Sequence, residues 1–155
     1  MTTLQAQVAA LPSSSNNGDI LAMGERVITL SNSFLYANRP NSDTSHIDYA
    51  HKIDQLQFGF NNNVLSLTIA LVNGEDPSDY FYDANINMTG FGDTDNVFAI
   101  QTGQSIFNDQ LTFTFRMVKD SSGSIVDATD NDLNNCEFEY IVLMKEKPEK
   151  PAANV

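Results

Sequence analysis

The sequence predicts an all-β protein: an antiparallel β-sandwich or jelly roll of about eight or nine short strands. Three observations support this class. Apolar and polar residues alternate in several segments, turn residues separate those segments, and helix-favouring runs are missing after the first eleven residues. With 155 residues, 41% of them hydrophobic, the chain is long enough for one domain with a substantial core. A closed barrel is the main alternative.

A β-hairpin over residues 53–72 has the clearest pattern in the chain. Every second residue of 56–60 and of 65–71 is Leu, Ile or Phe, so these side chains lie on one face of each strand. Three consecutive asparagines at 61–63 separate the two runs, and asparagine tolerates the left-handed backbone of a tight turn. The pattern predicts two antiparallel strands joined by this turn.

A second hairpin and a final strand are predicted nearer the C-terminus. Large apolar residues alternate with Thr and Arg over residues 111–117, and turn residues at 119–123 lead into a short strand at 124–126. The last strand, residues 136–144, begins with glutamates at alternate positions and ends apolar on both faces. Such an end predicts a central place in its sheet, or cover by a partner.

Weaker strands complete the domain. They lie at residues 26–30, 33–37, 80–82, 86–91 and 97–100. We expect a β-sandwich domain over residues 20–145. Residues 1–19, which include Pro, Ser, Asn and Gly, are predicted to be an extended N-terminal arm. Residues 146–155 are predicted to be a charged tail, because their prolines cannot continue the last strand.

Acidic residues dominate the charge: 20 Asp and Glu against 8 Lys and Arg give a net charge of −12. Residues 41–135 carry −11 of this, whereas residues 1–40 sum to zero. Phosphate backbones repel so acidic a surface, so no nucleic-acid partner is expected. No apolar run reaches the roughly 18 residues of a membrane helix, and no secretory signal is evident. We therefore expect no membrane insertion, and a place in a virion or at a cytoplasmic assembly site.

Residues 53–115 contain eight carboxylates and no Lys, Arg or His. Unpaired carboxylates repel one another unless solvent, salt or a bound cation offsets their charge. Calcium prefers carboxylate and amide oxygens in loops, so two acidic loops are candidate calcium sites, and no other cofactor is predicted. The candidate ligands are Asp93, Asp95, Asn96, Asp127, Asp130 and Asp132. Solvated acidic loops without a metal are the simpler interpretation, and a patch that docks a basic partner is a third.

The sequence contains little that indicates a catalytic site. The single cysteine, Cys136, has no neighbouring base and begins an alternating strand, where a free cysteine packs as a small apolar group. No nucleophile, base and orienting group can be assembled, so no catalytic residue or small-molecule substrate is predicted, and the protein is not expected to be an enzyme. Tyr80 and Tyr82 are a candidate ligand or partner surface, with Phe81 predicted to point into the core.

The sequence therefore favours a non-enzymatic structural subunit. We expect an outer or decorating component of a phage or virus particle, or of a filament. Such a subunit would associate through its terminal arms and strand edges into a homo-oligomer or a larger protein assembly. The alternative is a carbohydrate- or ligand-binding β-sandwich module, with calcium in one version.

Overall fold

Two antiparallel sheets of five strands each form the body of the protein. The computed structural model describes residues 19–40, 49–72, 74–92 and 96–148. Side chains of both sheets meet in one buried cluster. The all-β sandwich predicted from the sequence is therefore confirmed.

The first sheet has the last strand of the chain at its centre. It contains β1 (Asp19–Ser31), β2 (Phe34–Asn38), β3 (Tyr49–Ala50), β6 (Tyr80–Gly90) and β10 (Glu137–Glu146). The order is β2-β1-β10-β6, and β3 pairs with β1 on the same side as β2. The central place expected for the end of the last strand is thus found, because β10 pairs with β1 on one side and β6 on the other.

The second sheet contains both predicted hairpins. Its strands are β4 (Ile53–Asn61), β5 (Val64–Leu71), β7 (Val97–Phe107), β8 (Gln110–Ser121) and β9 (Ser124–Asp127). The order is β4-β5-β8-β7, and β9 pairs with the end of β8. The hairpin predicted over residues 53–72 is confirmed, with Asn62 at φ 55° in its turn.

Tight turns set the register of three further hairpins. In each of them, both turn residues have positive φ, which matches the right-handed twist of the flanking strands. These turns are Asn32-Ser33 between β1 and β2, Asn108-Asp109 between β7 and β8, and Ser122-Gly123 between β8 and β9. Because Asn, Asp and Gly tolerate this backbone, the turn sequences select the strand pairing.

Alternating side chains of the central strands fill the core. Those buried from β5, β8 and β10 include Leu65, Leu67, Ile69, Leu111, Phe113, Phe115, Phe138, Tyr140 and Val142. From β4, the ring of Phe58 lies edge-on to Phe138 at 5.4 Å and to Tyr140 at 5.1 Å, and so joins the two sheets. Burial of each such side chain contributes about 1.5–3 kcal/mol to the free energy of unfolding.

One cation lies within this core. Arg26 is only 7% exposed, and its guanidinium lies 5.3 Å from the ring centre of Phe58 and 5.2 Å from that of Tyr140. Its Nη1 also donates a hydrogen bond of 2.7 Å to the carbonyl oxygen of Glu25. The aromatic faces offset part of the cost of removing this charge from water.

Several strands are longer than predicted. β1 begins at Asp19 rather than residue 26, and the segments 80–82 and 86–91 belong to one strand, β6. The Asp-Ala-Asn sequence at 83–85 resembles a turn, but in the sheet Ala84 is buried while its two polar neighbours face solvent. β7 likewise continues to Phe107 because it pairs with β8 along its length.

The ends of the chain lie largely outside the described residues. This applies to the predicted N-terminal arm, apart from Asp19, and to the predicted tail beyond residue 148. Among the described residues the helices are short: a 3-10 turn at Pro77–Asp79 and α1 at Asp130–Leu133. None of them has the length and apolar character needed to cross a bilayer.

Candidate functional site

Asn96, the described candidate ligand of the first acidic loop, lies at the same end of the sandwich as the second loop. Asn96 immediately precedes β7, whose first residue, Val97, pairs with Lys119 of β8. The Nζ atom of Lys119 in turn lies 2.8 Å from Oδ2 of Asp132 in α1. The structure therefore brings the surroundings of Asn96 and Asp132 together, with a lysine between them. Asp93 and Asp95 lie outside the described residues.

Within the second loop, side chains of the protein already neutralise two of the three carboxylates. Both Nε and Nη2 of Arg116 lie 2.6 Å from Oδ1 of Asp127. Asp132 is 6% exposed and bonds Lys119, as described above. Asp130 is half-buried in the first turn of α1. Asp127 and Asp132, which are paired in this way, do not require a bound metal to offset their charge.

A helix cap explains why Asp132 is buried. Its Oδ2 accepts a hydrogen bond of 2.8 Å from the backbone nitrogen of Thr129, and its own nitrogen donates to Oγ1 of Thr129 at 3.1 Å. This reciprocal pair is a capping box. Sequence reasoning missed α1, although the Thr-Asp-Asn-Asp sequence at 129–132 carries the spacing that identifies such a cap.

Among the described residues, no group of three or more His, Cys, Asp and Glu side chains is arranged to hold a metal ion. The calcium hypothesis stays a prediction, and it now depends on ligands from Asp93 and Asp95.

Two lysines from outside residues 53–115 offset part of the charge of this segment. Lys52 lies 3.3 Å from Glu75, and Lys147 lies over the ring of Phe81 near Asp76. Asp76 starts the 3-10 turn, and hydrogen bonds from the hydroxyl and backbone nitrogen of Ser78 lower the pKa of its carboxyl. The run of carboxylates in the sequence is thus less isolated in space.

The three aromatic residues of β6 are arranged differently from the prediction. Tyr82 pairs with Met144, points into the core and is 8% exposed, whereas Phe81 is 55% exposed on the outer face. The prediction that Phe81 points inward was therefore wrong. Of the two predicted surface tyrosines, Tyr80 is half-buried, with its ring centre 6.2 Å from that of Tyr82. The strand register decides this face, and the three-residue run itself does not reveal it.

Cys136 lies where the sequence predicted, in the core. Its side chain is fully buried, and its thiol donates a hydrogen bond of 3.3 Å to the carbonyl oxygen of Asp132. Burial raises the pKa of the thiol, which disfavours the reactive thiolate.

Both ends of β7 carry exposed apolar side chains, and sequence reasoning missed them. Phe98, Ile100 and Phe107 lie on the outer face, whereas Ile106 pairs with the buried Leu111 on the inner face. All four are exposed, and Phe107 reaches 74%. β7 ends the strand order of the second sheet, so its outer side has no partner strand among the described residues. We call this surface the β7 edge. Its signal in the sequence is an apolar residue at each end of a run without any charge.

A second exposed apolar surface lies on the outer face of the first sheet. Met23 pairs with Tyr49 on one side and Ile141 on the other, and Ile20 pairs with Leu143 nearby. Ile20, Met23 and Tyr49 are exposed, and the two β10 residues are half-buried. We call this surface the β1–β10 patch. It includes the end of the last strand that the sequence predicted to be apolar on both faces.

Comparison with known proteins adds no relative. The chain matches no family model, no curated protein and no solved structure at a significant level. Functional argument therefore depends on the surfaces just described.

Proposed function

We propose that this protein is a non-enzymatic structural subunit that associates with copies of itself in a larger assembly. One observation carries the proposal: the molecule exposes two separate apolar surfaces, the β7 edge and the β1–β10 patch. Exposed apolar patches on soluble proteins often mark contacts with other proteins. Two such surfaces on different sheets suit a subunit that contacts more than one neighbour, as in a ring, shell or filament.

The charge of the chain supports an outer position in such an assembly. At a net charge of −12, the subunit would be repelled by packaged nucleic acid. In a phage or virus particle, it would therefore serve as an outer or decorating component rather than line the genome.

Light scattering after size-exclusion chromatography tests this proposal. We expect the mass of the full-length protein to rise above the 17.1 kDa of one chain as its concentration increases from about 5 to 500 µM, a range that detects micromolar association. A constant mass of one chain over this range would refute self-association.

A pair of variants tests the contribution of the β1–β10 patch. Met23→Lys places a charge within the patch and should shift the largest species to smaller ones. Gln57→Lys adds the same charge to an exposed position of β4 and should leave the distribution unchanged. An equal response of both variants would remove the patch from the proposed assembly surface.

A further inference from the structure

Edge strands of the two sheets differ in how they are protected from pairing with other chains. Natural proteins guard such edges with short strands, charged side chains or proline. β2 has five residues and β3 two, while β4 and β6 carry the exposed carboxylates of Asp54 and Asp83. β7 has eleven residues and contains neither a charge nor a proline. β7 therefore lacks these three guards, although a bulge interrupts it between Gln101 and Gly103.

The lack of charge on β7 matters because the rest of the chain is so acidic. Two copies with a net charge of −12 repel one another over most of their surfaces. Where β7 of one copy meets β7 of another, no charged side chains of the two strands oppose each other. Among the neighbouring outward residues of β8 and β5, Thr112, Thr114, Ser66 and Thr68 are uncharged, and the outward Arg116 of β8 is paired with Asp127. The second sheet thus offers copies of this chain a neutral approach.

A bulge within β7 decides which residues share a face. Phe98 pairs with Val118 and Phe107 with Gln110, and both partners lie on the outer face of β8. Even-numbered residues before the bulge and odd-numbered residues after it therefore face outward, since the register shifts between Gln101 and Gly103.

If β7 pairs with itself in antiparallel fashion, the first half of one copy meets the second half of the other. Outward side chains of one copy then lie opposite outward side chains of the other only when the two residue numbers of each pair sum to an odd value.

We propose that two copies of this chain pair through β7, antiparallel, about a two-fold axis between Thr102 and Gly103. In this register Phe98 of each copy lies opposite Phe107 of the other, so both exposed aromatic rings of the edge gain a cross-strand partner. Ile100 then faces Ser105, and Ala99 faces Ile106. The inference rests on the proposed self-association and specifies one of its interfaces.

The size of this contact predicts a moderate affinity. Eleven antiparallel residues span about 37 Å, and the pairing adds two cross-strand contacts between Phe98 and Phe107. A single pair of strands buries less than the interfaces of permanent dimers, so we expect a dissociation constant in the micromolar range. Pairing would join two five-stranded sheets into one continuous sheet of ten strands.

A charge exchange tests the register. Phe107→Lys and Phe98→Glu, each introduced separately, should raise the dissociation constant of the dimer at least tenfold, as measured by analytical ultracentrifugation. The double variant should recover most of this loss, because each new lysine then faces a new glutamate in the other copy. Phe34→Lys is the matched control: Phe34 is 66% exposed on β2, and its replacement should not change the constant.

A disulfide test covers the case in which Phe98→Glu unfolds the chain, since Phe98 lies beside the buried Val118. Phe98→Cys combined with Phe107→Cys should give a covalent dimer under mild oxidation, because the two positions of one chain are too far apart along β7 to bond each other. The native Cys136 is buried and does not compete. A covalent dimer supports the register, and its absence at concentrations where wild type is dimeric refutes it.

The outcomes separate this inference from the proposed function. If wild type associates but neither the charge exchange nor the disulfide affects that association, β7 pairing is wrong while the assembly role stands. If wild type stays monomeric at every concentration, both are wrong.

Discussion

Lys119 and Asp132 form an ion pair that holds one end of the sandwich together, with 2.8 Å between Nζ and Oδ2. The same carboxylate oxygen accepts the hydrogen bond from the Thr129 nitrogen that starts α1. One side chain thus joins β8 to the connection that crosses from the second sheet to the first. The position is nearly buried, so solvent screens these contacts less than those of an exposed pair.

Replacement of this carboxylate should destabilise the fold. Asp132→Ala removes the helix cap and leaves the ammonium of Lys119 without this partner, so we expect the free energy of unfolding to fall by about 2 kcal/mol. Urea denaturation at pH 7 measures this loss. Asp130→Ala, also in the first turn of α1, is the control and should cost clearly less. An equal fall in the free energy of unfolding for both variants would show that the cap and ion pair of Asp132 do not contribute more to stability than Asp130 does.

Calcium should leave the thermal stability unchanged. Arg116 and Lys119 already neutralise two of the candidate carboxylates of the second loop, so a divalent cation would have to compete with them. Thermal melting in excess calcium and in chelator makes the comparison. Calcium at 100 times its dissociation constant would stabilise the fold by about 2.7 kcal/mol. A shift of that size, abolished by Asp93→Asn with Asp95→Asn, would instead establish the loop at 93–96 as a metal site.

Tyr82→Phe should stabilise the protein. The hydroxyl of Tyr82 is buried and has no hydrogen-bond partner among the described residues. Its removal relieves the desolvation cost of that oxygen, so we expect a gain of about 1 kcal/mol and a rise of about 2–4 °C in the melting temperature. Tyr36→Phe, on the exposed face of β2, should have no such effect.

The same variant should change the alkaline limit of stability. Burial raises the pKa of the Tyr82 hydroxyl in the folded protein. Below the unfolded-state pKa of about 10, the phenol is neutral in both states and its ionisation does not reduce stability. Above that pH only the unfolded chain ionises readily, so wild type loses stability as the pH rises. The advantage of Tyr82→Phe over wild type should grow between about pH 9 and 11. An advantage that stays constant with pH would contradict this account.

Local patterns predicted the hairpins well, and tertiary pairing decided the rest. Residues 56–60 and 65–71 alternate strictly, so the faces of these strands can be assigned without knowledge of their neighbours. The second half of β7, residues 101–107, alternates poorly and is a strand because β8 lies beside it. Likewise, the inward position of Tyr82 follows from its register with Met144 of β10, which lies far away in the sequence.

The candidate site was less predictable than the fold. Asp127, Asp130 and Asp132 stand out as an acidic loop, yet their charge partners Arg116 and Lys119 lie on a neighbouring strand. The capping box at Thr129 was visible in the sequence but resembled a calcium loop equally well. The β7 edge was not predicted from the sequence, because the lack of charge in a segment becomes informative only when its position in the sheet is known.

The pairing of the first strand with the last has a consequence for the order of folding. β1 meets β10 across more than 100 residues of sequence, whereas all five strands of the second sheet lie within residues 53–127. During synthesis, which proceeds from the N-terminus, the second sheet can form while β1 and β6 still lack the strand that belongs between them. The nascent chain therefore leaves the facing edges of β1 and β6 unpaired until translation reaches β10, and a truncated product would lose the middle of one layer rather than a peripheral strand.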